Sequence, residues 1–261
     1  MAGVNDVLSL LATEEERALA QRLLALQAEA ESTGRPQLTD FLDPAAQTLA
    51  SLLMQRSPGL GYDFVGGHPG AERRRMIIRP RPLRAGEVPE RIGVVRIEGD
   101  FPSPPGRGEL LASVLRAGVR AEKVGDVLVT PQGGDVFLVA EFAPTVESRL
   151  TEVEGVPVTV REVAPEEVTA PAERKKEVRT TVASLRLDAV AAAGFGTSRT
   201  QMARDIKGMR VRLNWHPVDD ADAEVKEGDV IALRGRGRLV VAEVTGTTKK
   251  GRLGLRLERY L

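Results

Sequence analysis

The chain has 261 residues, 42% hydrophobic and 28% charged, which is enough to bury interiors in two or three domains of ordinary size and excludes wholesale disorder. Cysteine is absent and the histidines are two, His68 and His216, which excludes disulfides, thiolate zinc and cysteine nucleophiles and leaves no metal site expected. Basic and acidic residues balance at 37 each, yet residues 1–173 hold 18 Lys+Arg against 26 Asp+Glu, while 174–261 hold 19 against 11, so the last third is a basic module.

At the N-terminus Asp6, Glu14, Glu15 and Glu16 stand where a signal sequence would be basic, and no apolar run reaches the roughly twenty residues of a membrane span. A cytoplasmic location without membrane partners is the expectation. Thr13 caps a helix that runs to Gly34 ahead of Pro36, with Leu19, Leu23, Leu24 and Leu26 as its apolar stripe. Asp43 and Pro44 start a second helix that buries Leu49, Leu52, Leu53 and Met54 and stops at Ser57-Pro58-Gly59. Tyr62–Val65 and Met76–Ile78 read as short strands around a Gly- and Arg-rich loop, so residues 1–88 read as a helical domain with an Arg-rich segment. His68, between glycine and proline, reads as a turn residue. Arg73, Arg74, Arg75, Arg79, Arg81 and Arg84 lie within twelve residues that contain no acid. This run offers a second RNA contact through Arg73, Arg74, Arg75 and Arg79, or a partner for the acidic first helix.

From Ile92 the order is strand (Ile92–Glu98), helix (Glu109–Ala117), strand (Asp126–Thr130), strand (Asp135–Glu141), helix (Thr145–Val153), strand (Val156–Val163). This βαββαβ order over residues 89–163 predicts a ferredoxin-like, RRM-like plait. Its only candidates for stacking bases are Phe137 and Phe142, and the basic-glycine-aromatic signature is absent. Residues 164–179, with Pro165, Pro171 and Arg174-Lys175-Lys176, read as a linker, and residues 180–261 as a small α/β domain, giving an α+β protein overall.

In that last domain a helix opens at Ser184–Val190. Ser198 heads a second helix, with Gln201 three positions later to complete a capping box and Arg199 in the first turn, free to face solvent. Arg204 and Lys207 follow along the helix, and Arg210, Arg212 and Asn214 alternate with Val211 and Leu213, which predicts one polar strand face. Arg234, Arg236 and Arg238 alternate with glycine and so are expected to share a face; Lys249, Lys250 and Arg252 continue the charge. Trp215 reads as a packing residue or a base-stacking one, and Asn214 as a turn cap or an RNA contact. Cations clustered on a helix and the following strand suit phosphate, so RNA is the expected partner and DNA is not.

This module resembles the S-four domain, the RNA-binding domain named after the fourth protein of the small ribosomal subunit. The shared frame is Arg186-Leu187-Asp188, Ser198-Arg199, Ile206, Val211, Leu213-Asn214, Val218 and Glu227 to Ile231. Met209 stands where that family usually has glycine, with Gly208 one place early, and Asp205 where leucine is usual, so a turn shifted by one residue is expected. Further stretches resemble the YlmH-like family over nearly the whole chain: Val182 to Asp188, Asn214-Trp215, Arg234 to Arg238, Gly246 to Arg252, Phe41 to Pro44, Gly66-Gly67 with Ala71 to Arg73, and Gly118 to Asp126. That resemblance implies a non-enzymatic protein binding rRNA or tRNA on the ribosome, with the large subunit and peptidyl-tRNA in rescue of stalled translation implicated for some members. It implies RNA contacts through Arg186, Ser198, Arg199, Thr200, Gln201, Arg204, Lys207, Arg210, Arg212, Asn214, Trp215 and the later basic residues. S-four domains are also appended to RNA-modifying enzymes, but Gly237-Arg238-Leu239 continues with Val240 instead of the pseudouridine synthase aspartate, and neither Gly-x-Gly-x-x-Gly after a strand nor a P-loop is present. No cofactor is expected; an RNA-modifying enzyme, or a scaffold whose plait binds protein, are the alternatives.

Overall fold

The computed structural model describes residues 11, 13–84, 86–169, 175–248 and 251–260. They fall into two compact units, Met1–Pro171 and Ala172–Leu261, mixing helix and sheet. Among these residues no helix is long and apolar enough to cross a membrane.

The first helix, α1 (Glu14–Thr33), begins in a closed capping box: the Thr13 hydroxyl accepts from the Glu16 N–H at 3.1 Å, and the Glu16 carboxylate accepts from the Thr13 N–H at 3.0 Å. Three glutamates in its first turn suit the positive end of the helix dipole. After β1 (Gln37–Leu42), Asp43 caps α2 (Pro44–Met54) by accepting from the Ala46 N–H at 2.9 Å. Strands β2 (Leu60–Val65) and β3 (Arg74–Pro80) complete an antiparallel sheet of order β1-β3-β2. Residues 1–88 are therefore not a helical domain: a three-stranded sheet carries the helices, and Leu23, Leu49 and Leu53 bury against Met76 and Ile78. The consecutive apolar residues Met76, Ile77 and Ile78 are all buried, which a strand flanked on both edges and packed on both faces requires.

Next come β4 (Ile92–Gly99), α3 (Arg107–Arg116), β5 (Val124–Thr130), β6 (Gly133–Val139), α4 (Ala143–Arg149), the short β7 (Glu152–Val153) and β8 (Val156–Val163). The sheet runs β5-β6-β4-β8-β7, each neighbour antiparallel. Leu110, Val114 and Val146 of the helices cover Val95, Ile97, Val136 and Leu138 on one face. On the other face Phe137 is fully buried: the His68 ring lies 4.6 Å from it, and a Cβ on Gly67 would come within 2.8 Å of it. Phe142 is half-buried against the helix-side core, and Phe137 is closed to a base. His68 is thus more than a turn residue; its Nε2 also sits 3.1 Å from Asp126, whose carboxylate accepts from the Glu72 and Arg73 N–H groups at 2.8 and 3.1 Å. Through these contacts residues on either side of position 88 form one unit.

The second unit holds β9 (Lys175–Val182), α5 (Leu187–Phe195), α6 (Arg199–Lys207), β10 (Val211–Leu213), β11 (His216–Pro217), β12 (Val230–Leu233), β13 (Gly237–Thr247) and β14 (Leu253–Tyr260), in a sheet of order β11-β10-β12-β13-β14-β9. Residues 175–179 are therefore not linker; they pair along β14 from Lys175↔Tyr260 onward. Their run of charges is the composition of an edge strand. Helix α5 is buried along almost its whole length, with Leu187, Val190 and Phe195 against Leu239, Val241 and Leu257. Gly194 permits this approach, since a Cβ there would lie 2.2 Å from the Leu239 side chain. Met202 and Ile206 then fasten α6 to the same core and turn its polar face outward.

Candidate nucleic-acid interface

Helix α6 starts where the Ser198 hydroxyl accepts from the Gln201 N–H at 3.1 Å. The box is not closed, because the Gln201 side chain instead donates to Asp205 at 3.3 Å. Arg199, Thr200, Ala203, Arg204 and Lys207 line an open groove along the helix, with Asp188 at its side. The side chains of Arg204 and Lys207 are exposed and make no hydrogen bond or ion pair with a described residue.

Arg199 is not free, as its place in the sequence suggests. Its guanidinium donates to both Asp188 oxygens, at 2.8 and 3.0 Å, while Arg186 donates to the same carboxylate at 3.2 Å through each of two nitrogens and also to Asp222. Asp188 is 6% exposed. Burial alone would raise its carboxyl pKa, but the hydrogen bonds from Arg186 and Arg199 outweigh burial and hold it below the ordinary carboxylate range. The Arg186 guanidinium is raised in turn, chiefly by its hydrogen bond to Asp188. With 54% of its side chain exposed, Arg199 is pinned along one edge and keeps N–H donors for a ligand on the other.

A second carboxylate does the same at the far end of α6. Asp205, 8% exposed, accepts from Arg210 at 2.8 Å. The turn that follows is not shifted: Met209 itself takes the left-handed conformation, φ 56°, that glycine favours, with the Met209 N–H donating to Ile206 and the Arg210 N–H to Asp205. Asp188 and Asp205 were not readable as site residues from charge counting; their signal is an acid near the start or end of a helix inside a basic module.

Beyond α6 the basic residues disperse. Arg212 on β10 and Arg234 in the 234–236 loop are exposed and without a described side-chain partner, and the Arg234 N–H donates to the Arg210 carbonyl at 3.0 Å. Arg234, Arg236 and Arg238 do not share a face. Arg236 donates to the Phe195 carbonyl at 3.1 Å, and Arg238, on β13, lies 4.4 Å over the Tyr260 ring, where burial lowers its pKa against the pull of Tyr260. Asn214 does not extend the polar strand; its amide donates to Asp229 at 2.8 Å and its oxygen accepts from the Val230 N–H at 2.9 Å, the turn-capping role. Arg252 donates to the Thr181 hydroxyl and carbonyl at 3.0 and 2.6 Å. Lys249 and Lys250 lie outside the described residues.

Four arginines of the Arg-rich run of the first unit are internal scaffolding, while Arg81 and Arg84 are exposed. Arg73 donates to the Val124 carbonyl at 2.8 Å, Arg74 to Ala71 at 2.6 Å, Arg75 to Thr39 and Arg91 at 2.7 and 2.8 Å, and Arg79 to Asp63 at 2.7 Å. Burial lowers the pKa of Arg73 and Arg75, with nearby carboxylates opposing it. Guanidinium groups bound to carbonyls in this way satisfy buried acceptors and are not presented to a polyanion. No group of three or more His, Asp or Glu side chains among the described residues is placed to hold a metal ion.

A helix capped at Ser198 and laid out in cations, on this small sheet, defines the second unit as an S4-type RNA-binding module: the S4 domain profile matches residues 185–231. Over 248 residues the chain is 31% identical to the "Ribosome-associated protein quality control protein P2" of Bacillus subtilis (strain 168), covering 94% of this chain and 96% of that one. The fold is also similar to that of the cell division protein ylmH from Streptococcus pneumoniae, with a TM-score of 0.53 at 19% identity over 61% of this chain and 98% of that one. The chain belongs to the YlmH-like family.

Proposed function

We propose that this protein is a non-enzymatic RNA-binding protein of the cytoplasm that uses its second unit to hold structured rRNA or tRNA on the ribosome, in the quality control of stalled translation. The observation that carries the reading is the α6 groove, where the Arg204 and Lys207 side chains have no partner among the described residues and Arg199 is oriented by a buried carboxylate. Arg212 and Arg234 extend the set. Such a row gains affinity by displacing counterions from phosphate, and the fixed cap of α6 adds its partly positive N-terminus. The ribosome enters through the name of the Bacillus relative. In this scheme Arg73, Arg74, Arg75 and Arg79 of the first unit hold its own carbonyls and carboxylates and make no second RNA contact.

The test is a titration of the full chain with a ribosomal RNA stem-loop across salt concentrations. Five phosphate contacts, from Arg199, Arg204, Lys207, Arg212 and Arg234, predict a log–log slope of about −4. A salt-independent affinity, or none at low salt, overturns the reading. Incubation with total RNA and a methyl donor is expected to leave nucleoside composition unchanged; a new modified nucleoside that requires the protein would restore the enzyme alternative.

A further inference from the structure

Strands β10 and β11 are joined by two residues, Asn214 and Trp215, with φ of 50° and 70°, and Leu213 pairs with His216 across them. Both central residues are left-handed, as in a type I′ turn. Asparagine suits the first position. The second favours glycine, and a bulky side chain there strains the backbone.

The surroundings over-determine that conformation. Besides its two side-chain hydrogen bonds, Asn214 donates its own N–H to the Val230 carbonyl at 2.7 Å, and the second oxygen of Asp229 accepts from the Lys226 N–H at 2.7 Å. The direction in which Trp215 leaves the chain is therefore fixed before any ligand arrives. Trp215 is half-buried, lies outside the apolar core of the unit, and makes no hydrogen bond or ring contact with a described residue. Arg212, two residues before the turn, is an exposed cation without a side-chain partner among the described residues, on the strand that carries it.

We infer that Trp215 stacks on an unpaired base, so that the RNA held by this unit carries a bulged or looped nucleotide beside its phosphate-contacting stem. This rests on the RNA-binding reading above and adds the class of RNA. Bases inside an A-form stem are already stacked and closed to an aromatic ring, whereas a splayed base offers its face. Holding the ring in place within the folded state lowers the ordering cost at binding, which is what a strained but pinned tip supplies.

Trp215 is the only tryptophan of the chain, so its emission reports this site alone. The probes are two RNA hairpins of equal charge at one salt concentration, one fully paired in its stem and one carrying a single bulged adenosine. The bulged RNA is expected to bind about tenfold more tightly and to quench the emission. Trp215→Leu should bring the two affinities together. Trp215→Gly, which relieves the left-handed turn, should do the same; a packing role alone predicts an intact preference. Equal affinities with unchanged emission while both RNAs bind would refute the stacking and leave the phosphate reading standing. Failure of both RNAs to bind at low salt would refute the two together.

Discussion

Asp188→Asn keeps the shape of the side chain and removes the charge on which Arg186 and Arg199 converge. The carboxylate takes four N–H contacts of 2.8–3.2 Å. A hydrogen bond to a charged group contributes about 1.5–3 kcal/mol. Both guanidinium groups are open to solvent on one side, at 39% and 54% exposure, and screening removes part of that contribution. A loss of about 2 kcal/mol follows, which for a unit of this size lowers the unfolding temperature by about 10 °C. The sign of the pH dependence follows from the depressed carboxyl. A group whose pKa is lower folded than unfolded stabilises fully above its unfolded value, about 3.9 for aspartate, and loses that contribution as the pH falls through the folded value. Thermal melts of wild type and variant should therefore differ by a constant amount from pH 7 to 5 and converge below pH 4. A gap that does not shrink as the pH falls below 4, or a variant as stable as wild type at pH 7, refutes the assignment of Asp188 as the ionic anchor of Arg199.

Met209→Gly places glycine in the left-handed position that Met209 occupies with 57% of its surface exposed, and should raise stability by up to about 1 kcal/mol in thermal unfolding; a loss would mean that the methionine side chain makes contacts that matter more than the backbone. Asp126→Ala leaves the Glu72 and Arg73 N–H groups without their acceptor and should cost the first unit about 2–4 kcal/mol, while melting of the second unit is unmoved. Phe195→Ala, in the centre of the second core, should cost about 3–5 kcal/mol by chemical denaturation; a loss below 1 would mean the core collapses around the gap.

Much of this architecture was written locally. Thr13, Asp43 and Ser198 announce their helices because a short polar side chain ahead of an apolar period has one favourable use, to satisfy free amides. Strands whose identity depends on a distant partner were not legible. β1 has no clean alternation and is a strand because β3 lies beside it, and β9 is a charged segment until β14, far along the chain, is placed against it. Charge runs mislead for a related reason. Arg73 and Arg75 look like Arg204 and Lys207 in a count, yet the first pair reaches buried carbonyls and the second reaches solvent, a difference set by tertiary contacts. Likewise the alternation of Arg234, Arg236 and Arg238 implies one face only if the segment is a strand, and its first two arginines sit in a loop.

The central claim is that position on α6, and not bulk charge, directs RNA binding. It is tested most directly by comparing two double variants of the full chain, each lacking two cations: Arg204→Ala with Lys207→Ala on the groove, and Lys176→Ala with Arg179→Ala on the edge strand β9. Both are first shown folded by circular dichroism, and affinity for one ribosomal RNA stem-loop is then measured across salt concentrations. The groove variant should bind about 10- to 100-fold more weakly, with a salt slope reduced by about two, and the edge variant should change by less than about threefold. Equal losses would contradict the account and assign binding to net charge alone.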